Sequence, residues 1–148
     1  MTDKQNIVTL REETGAGVLD CKNALEEAGG DLDNARKIIA KKGYSKAQKK
    51  SERATDAGVL ETYSHNGRIA VMLDLRCETD FVAKNKEFRE LAHNIAMQIA
   101  SMNPENVDEL MDQPFIKDDS VTVRDMLTAL IAKTGENMKV ERFCRYEL

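Results

Sequence analysis

The sequence predicts a small α+β protein, in which three short helices precede a small antiparallel sheet with helices packed on one face. Three observations predict this class. The first part of the chain has short apolar stripes at helical spacing, separated by glycine-containing turns. Two alternating segments joined by Asn66-Gly67 are typical of a β-hairpin. Two helical stripes and a last alternating segment follow, and this order favours helices layered on an antiparallel sheet.

The composition is that of a folded, soluble chain. Its 148 residues are 41% hydrophobic and 32% charged, which is typical of globular rather than disordered proteins. A net charge of −4 gives no general argument for nucleic-acid binding. The N-terminus has no signal-peptide pattern, no apolar run is long enough for a membrane span, and three widely spaced cysteines suit a reducing compartment. A cytoplasmic protein without membrane contact is therefore expected.

The N-terminal helices have recognisable start and stop signals. Thr2 or Asp3 can cap the first helix, and Gly15 and Gly17 permit the turn that ends it. Gly43 is the predicted end of the third helix. The apolar stripes of the second and third helices are Val18, Cys21, Leu25 and Ala28, and Leu32, Ala35, Ile38 and Ile39.

A basic segment without an apolar stripe divides the chain. Residues 44–56 are predicted to be a solvated helix or a linker, and to separate a three-helix domain, residues 1–43, from an α+β core, residues 57–148. Tyr44 is the one aromatic residue in or beside this cluster of charges, so a solvated face is a simpler interpretation than an RNA-binding surface. The basic residues in and just before the linker are Lys41, Lys42, Lys46, Lys49, Lys50 and Arg53.

The core domain has the clearest periodicity. The second hairpin strand places on one face Ile69, Val71, Leu73, Leu75 and Cys77. A long helix, ended by Asn103-Pro104, carries the stripe Phe88, Ala92, Ile95, Ile99 and Met102. The next helix, capped by Gly135, turns inward Val123, Met126, Leu127, Leu130 and Ile131. One face of the last strand is predicted to hold Met138, Val140, Cys144, Tyr146 and Leu148.

Catalytic and metal-binding patterns are missing from the sequence. Cys21, Cys77 and Cys144 have no CxxC spacing and lie on apolar stripes, so they are predicted to be core thiols. His65 and His93 are isolated, and nothing pairs a nucleophile with a base. The segment TGAG lacks the preceding strand and the Gly-Lys-Ser/Thr ending of a phosphate loop. An enzyme, a metal site, a cofactor and direct nucleotide binding are therefore not expected.

The segment CETDFVAKN, residues 77–85, raises a question that local physics leaves open. It places Asp80 and Phe81 where a strand gives way to a helix. In one interpretation Thr79 or Asp80 caps the helix and Phe81 packs on the core as a hydrophobic staple. In the other, Phe81 inserts into a pocket of a partner, as interface anchors do.

Three segments resemble the bacterial elongation factor Ts family. They are LREETGAGVLDCKNALEEAGGDLDNA at 10–35, LRCETDFVAKN at 75–85 and AKTGENMKVERFCRYEL at 132–148. The resemblance implies a ubiquitin-associated-like three-helix domain, a linker and an α+β core. It also implies a guanine-nucleotide exchange factor that promotes GDP release from elongation factor Tu.

The resemblance also assigns roles to residues. In the family, the segment that enters the G domain of elongation factor Tu and disturbs its magnesium site corresponds here to Thr79, Asp80, Phe81 and Val82. The residues that would dock on the same G domain are Gly15, Gly17, Lys22, Thr134 and Gly135. Thr134 stands where the family usually has an aliphatic residue, so its contact is expected to be weaker.

The sequence departs from longer family members in the second half of the core. It runs from the long helix almost directly to the last one, without a duplicated core or a long helical insertion. Because a shorter family form works as a homodimer, a homodimer is expected here, formed through the terminal strand. Two other functions stay open: a helical partner-binding module that uses residues 1–43 without exchange activity, and an RNA-binding protein that uses the basic linker.

Overall fold

A computed structural model describes residues 3–148, which form seven helices and five strands. The helices are α1 (Lys4–Thr14), α2 (Val18–Glu27), α3 (Leu32–Lys50), α4 (Asp80–Ala83), α5 (Lys86–Met102), α6 (Val107–Asp112) and α7 (Val123–Thr134). The strands are β1 (Ala57–His65), β2 (Ile69–Cys77), β3 (Pro114–Phe115), β4 (Asp118–Thr122) and β5 (Met138–Glu147). The mixed helix-and-sheet class predicted from the sequence is confirmed. The likeness of the first three helices to a ubiquitin-associated domain stays a prediction.

Helices α1 to α3 enclose a small core of their own. The Asp3 side chain caps α1 by accepting a hydrogen bond from the Gln5 N–H at 3.0 Å. Thr2, the alternative cap, lies outside the described residues. The fully buried side chains of this cluster are Leu10, Cys21, Ala24, Leu25 and Ala35.

The predicted stripe of α2 is wrong at its first position. Val18 is 52% exposed, whereas Ala24 is fully buried. The buried face of α2 is centred on Cys21, Ala24 and Leu25 rather than on a line that begins at Val18. Val18, the first residue of the helix, and Leu19 both face outward.

The predicted helix end at Gly43 is also wrong. Helix α3 continues to Lys50 and Gly43 is buried in its interior. A methyl group at Gly43 would lie 3.6 Å from the Cβ of Ala132 in α7. Helices α3 and α7 therefore cross at these two small residues. Tertiary packing, together with the hydrogen bond from the Tyr44 hydroxyl to Asp125, continues the helix through a residue of poor helix propensity.

Gly43→Ala is expected to stabilise the protein by about 0.5–1 kcal/mol, because alanine favours the helix and its methyl group fits at ordinary contact distance. Chemical denaturation measures this change as a higher midpoint with an unchanged slope. Gly43→Leu is the control, since its larger side chain collides with Ala132 and should destabilise by about 1–3 kcal/mol. A destabilised alanine variant would contradict this 3.6 Å spacing, since it would mean that α3 and α7 leave no room for a methyl group.

The main sheet has the strand order β1-β2-β5, and both pairings are antiparallel. The predicted hairpin is confirmed: Asn66 and Gly67 both have positive φ, 52° and 66°, as a type I′ turn requires. The face of β2 predicted from its alternation is confirmed as the inner one, since Val71, Leu73, Leu75 and Cys77 are buried.

Strand β5 corrects the prediction for the last strand. Its pairing with β2 shifts between Asp74 and Leu75: Leu75 faces Val140 whereas Asp74 faces Arg142. This bulge inserts one residue and reverses the alternation beyond it. Met138 and Val140 are therefore buried, but Cys144 is exposed and Tyr146 is 75% exposed on the opposite face. The further prediction that Leu148 shares a buried face is wrong for the same reason, as it is 86% exposed.

The helices of the core pack on the inner face of the sheet. The predicted stripe of α5 is confirmed for its first four members and wrong for Met102, which is 48% exposed beside the left-handed cap Asn103. Helix α7 starts at a capping box, in which Thr122 and Asp125 satisfy each other's backbone N–H groups, and ends at Gly135 with φ 77°. Between α5 and α7 lie the short helix α6 and a second, two-stranded antiparallel sheet formed by β3 and β4.

Candidate functional site

The segment Thr79–Val82 forms a short helical tip at the end of β2. Thr79 is extended, with φ −128° and ψ 152°, and its hydroxyl accepts a hydrogen bond from the Val82 N–H at 3.3 Å. The helix α4 lasts one turn only, because Asn85 caps the new helix α5 by accepting from the Glu87 N–H at 2.8 Å. Val82 and Ala83 are buried and anchor the turn to the core.

Phe81 projects from this tip into solvent. Its side chain is 85% exposed, whereas Phe88, seven residues later, is fully buried. Because the helix is interrupted at Asn85, the N-cap of α5, Phe81 does not extend the apolar stripe of α5. The staple interpretation is therefore wrong, although Thr79 does cap the turn as that interpretation required. An exposed phenylalanine forgoes about 1.5–3 kcal/mol of burial.

The tip is tied to the loop after α7. The Glu136 carboxylate accepts hydrogen bonds from the backbone N–H groups of Glu78 and Thr79, at 3.1 and 2.9 Å, and from the Thr79 hydroxyl at 2.7 Å. In return, the Glu78 carboxylate accepts from the Asn137 N–H at 2.7 Å and lies 3.6 Å from Arg53. Sequence reasoning missed Glu136 and Asn137, although both belong to the quoted segment AKTGENMKVERFCRYEL.

Two predicted docking residues, Thr134 and Gly135, come directly before Glu136 in the chain. Thr134 donates its hydroxyl to the Leu130 carbonyl at 2.9 Å and accepts from the Glu136 N–H at 3.3 Å. Gly135 is the left-handed cap of α7, and its carbonyl accepts a 3.4 Å hydrogen bond from Arg53. Both residues are part-exposed. The structure therefore brings Thr134 and Gly135 beside Thr79 through a shared neighbour, Glu136.

The turn between α1 and α2 lies against the same helix α7. Gly15 is the left-handed cap of α1 with φ 69°, and a side chain there would meet Lys133 at 3.1 Å. Gly17 is the extended N-cap of α2. The two glycines thus lie near the end of α7, on the side of the three-helix unit that faces the core.

Lys22 lies on a different surface. It is on α2, whose main contacts are with α1 and α3, and it forms a 3.7 Å ion pair with Glu26 in which both side chains are about half exposed. Val18 and Leu19, 52% and 68% exposed, lie one turn before it on the same helix. Leu19 was not selected from the sequence as a surface residue of interest, because it is not part of the apolar stripe of α2. A leucine outside that stripe was the signal that could have indicated an exposed apolar side chain.

The thiols do not form a reactive centre. Burial raises the pKa of the Cys21 thiol, and burial together with the nearby Glu136 carboxylate raises the pKa of the Cys77 thiol to about 11. Cys77 also donates its S–H to the Thr79 carbonyl at 3.2 Å. The prediction of core thiols is confirmed for these two cysteines and wrong for Cys144, which the bulge in β5 turns outward.

Within residues 3–148, no group of three or more histidine, cysteine or acidic side chains is placed to hold a metal ion. In the same part of the chain, no helix has the length and apolar character needed to cross a bilayer.

Comparison with known proteins shows the class of protein to which this chain belongs. A sequence profile described as "Elongation factor TS" matches residues 78–148, from the start of the tip to the end of the chain. The chain is 44% identical to elongation factor Ts of Thermotoga petrophila over 186 positions, which cover 96% of this chain and 94% of the relative. It is 41% identical to elongation factor Ts of Carboxydothermus hydrogenoformans, over 100% of this chain and 89% of the relative.

These relatives are translation elongation factors by name, and the agreement extends over nearly the whole chain. The chain belongs to the elongation factor Ts family. The alignment with the Thermotoga petrophila relative runs over 186 positions, more than the 148 residues here, so that relative carries residues that this chain lacks. The shortened form expected from the sequence agrees with this difference.

Proposed function

We propose that this protein is a guanine-nucleotide exchange factor for elongation factor Tu, and that Asp80 and Phe81 promote GDP release by entering the G domain. The observation that carries the proposal is the 85% exposure of Phe81 on a capped and hydrogen-bonded turn. A rigid, exposed aromatic side chain is the type of residue that dominates protein interfaces, because little conformational freedom is lost on binding.

The proposed step is displacement rather than covalent chemistry. Magnesium offsets the repulsion among the diphosphate oxygens and its protein ligands, so disturbing the magnesium site weakens GDP binding. Phe81 would supply the wedge, and the exposed Asp80 carboxylate beside it would carry charge into that site. Since coupling between two binding sites is reciprocal, nucleotide with magnesium must weaken the binding of this protein by the same factor. The factor itself would hold no nucleotide and no cofactor.

Docking on the G domain is proposed for two further surfaces. The first is the outer face of α2 with Lys22, to which the structure adds the exposed side chains of Val18 and Leu19. The second is the end of α7 with Thr134 and Gly135, together with the Gly15–Gly17 turn that packs near it. Contacts at these two surfaces would orient the tip and so direct the side chain of Phe81 to one place on the partner.

The alternative functions have less support. Three of the basic residues assigned to an RNA surface are in ion pairs: Lys42 with Glu27, Lys46 with Asp20 and Arg53 with Glu78. Part of the positive charge is therefore neutralised within the protein. A partner-binding module limited to residues 1–43 leaves the exposed Phe81 without a role.

The proposal is tested by the release of a fluorescent GDP analogue from elongation factor Tu at fixed magnesium, with and without this protein. Release should accelerate, and added magnesium should oppose the acceleration. An unchanged release rate with folded protein at high concentration would overturn exchange activity. Binding to the nucleotide-free partner without faster release would support the binding-module alternative, and steeply salt-dependent binding to RNA would support the other. Action in the cytoplasm is part of the same proposal.

We also propose that the protein forms a homodimer through the outer face of its sheet, the face without helices. The register places Met72 opposite Cys144 and Ala70 opposite Tyr146 on this face. This face combines exposed apolar side chains, since Leu60 is 61%, Met72 47% and Tyr146 75% exposed, with the ion pairs that Asp74 forms with Arg76 and Arg142. The expected contact through the terminal strand is thereby extended to the central strand.

Met72→Lys is expected to shift the protein to the monomer, because two desolvated ammonium groups would face each other across a two-fold interface. Sedimentation at several concentrations measures the change. Ile116→Lys is the matched control, since Ile116 is 41% exposed but lies outside this sheet. Cys144 gives a second measurement. It is exposed, whereas Cys21 and Cys77 are buried, so a thiol reagent should modify Cys144 first. Because the dimer would cover Cys144, this reaction should become slower as the protein concentration rises. A monomeric wild type with constant Cys144 reactivity would contradict the dimer.

A further inference from the structure

The orientation of the tip depends on one side chain from a distant part of the sequence. Glu136 lies 57 residues after Thr79, yet both of its carboxylate oxygens are bonded to the start of the tip. One oxygen accepts from two successive backbone N–H groups, those of Glu78 and Thr79, and the other accepts from the Thr79 hydroxyl. Hydrogen bonds to an ionised acceptor are stronger than neutral ones, so this contact constrains Thr79 firmly.

Thr79 in turn determines the position of Phe81. The Thr79 hydroxyl accepts from the Val82 N–H while donating to Glu136, and the Thr79 carbonyl accepts from the Ala83 N–H at 3.1 Å. Two of these bonds span Phe81 in the sequence. A one-turn helix is too short to be stable by itself, since nucleation is unfavourable. Its geometry therefore depends on contacts with the rest of the chain: Glu136 holds its N-cap, Thr79, and the buried side chains of Val82 and Ala83 anchor its other end.

The loop that carries Glu136 is itself held in place. Asn137 is buried, and its side-chain amide donates to the carbonyls of Ser51 and Arg53, at 3.3 and 2.8 Å. Its backbone N–H donates to Glu78, one residue before Thr79. The loop after α7, the segment after α3 and the end of β2 thus form one hydrogen-bonded unit beneath the tip.

We infer that Glu136 is a positioning residue for nucleotide exchange, which acts through Thr79 to present Phe81 in one orientation before the partner binds. The inference rests on the proposed function, but its first consequence concerns this chain alone. Without the Glu136 carboxylate, Phe81 should sample many orientations, and the partner would have to select one of them. Preorganisation of an anchor mainly removes an ordering cost from the productive complex.

The mobility of the tip can be measured without the partner. The chain has no tryptophan, so Phe81→Trp supplies a single tryptophan at the tip, which is excited at wavelengths that the three tyrosines do not absorb. Time-resolved anisotropy of this variant should show a small amplitude of nanosecond motion, and adding Glu136→Ala should raise that amplitude at least about twofold. Glu90→Ala is the control, since Glu90 is an exposed glutamate that pairs only across one helical turn, with Lys86 at 3.7 Å. Unchanged motion at position 81 would overturn the inference.

Exchange kinetics, measured with Phe81 in place, separate positioning from docking. Glu136→Ala should lower the maximal rate of GDP release about tenfold, while the concentration for half-maximal effect changes less than about threefold, because the docking surfaces remain. Glu136→Gln should recover most of the rate, since its amide oxygen still accepts from the two N–H groups and its NH₂ can donate to the Thr79 hydroxyl. A purely structural role predicts loss of folded protein instead, with no rescue of the rate by glutamine.

The outcomes distinguish this inference from the proposed function. If wild-type protein does not accelerate GDP release, the exchange proposal fails, and the anisotropy result still decides whether Glu136 orders the tip. If wild-type protein is active but Glu136→Ala retains the full maximal rate, only the positioning role fails. Should Glu136→Ala not fold, Glu136→Asp keeps the charge but shortens the side chain by one methylene, and it must show the same increase in motion for the inference to stand.

Discussion

Replacing Phe81 by alanine should abolish most of the exchange activity while leaving the fold intact. The expected loss in the rate of GDP release is at least about 30-fold, which corresponds to about 2 kcal/mol or more, the value typical of an interface hot spot. Because the side chain is 85% exposed, the free energy of unfolding should change by no more than about 0.5 kcal/mol. Nucleotide-release kinetics and chemical denaturation of the same sample measure the two effects.

Phe81→Leu is a useful companion to this variant. It keeps an apolar side chain at the tip but removes the flat ring, so it should retain part of the activity if apolar wedging is sufficient. Full activity of Phe81→Ala would exclude the wedge. A loss of several kcal/mol in stability would show that Phe81 packs on the core in solution, contrary to its exposure here.

Replacing Phe88 by alanine should have the opposite pattern. Phe88 is fully buried in the core between the sheet and the helices, so its truncation should cost about 3–5 kcal/mol of stability. Since small domains are stable by only about 5–15 kcal/mol, this variant should unfold at a much lower denaturant concentration. The shift of the denaturation midpoint at constant slope gives the value.

Phe88→Ala also completes a matched pair with Phe81→Ala. The two residues are seven positions apart, and the substitution is the same. Under conditions in which the Phe88 variant remains folded, its exchange rate should be close to that of the wild type. If both variants lose activity and stability together, the separation of tip and core would be refuted.

Local sequence patterns were sufficient for much of the fold. The hairpin at Asn66-Gly67, the buried face of β2 and the end of α7 at Gly135 follow from turn chemistry and period-2 or helical spacing, and each is found as predicted. These features depend on residues near one another in the chain. Their energetics are therefore present in the local sequence.

The errors have a common origin in long-range packing. Gly43 has the chemistry of a helix end, but α7 packs against it and the helix continues. Cys144 and Tyr146 keep the alternation of a strand, but the bulge opposite Asp74 turns them to the other face. A bulge is determined by the partner strand, so the pattern within β5 could not reveal it.

In the candidate site, too, some features follow from the local sequence and others from long-range packing. The sequence alone determined the composition of the tip, an acid and an aromatic ring after a capping threonine, because these are properties of adjacent residues. Only the tertiary structure excluded the staple: the helix is interrupted at Asn85, a carboxylate 57 residues away holds Thr79, and Phe81 is 85% exposed. The physical reason is that capping stabilises a turn locally, whereas the orientation of a one-turn helix depends on whatever packs around it.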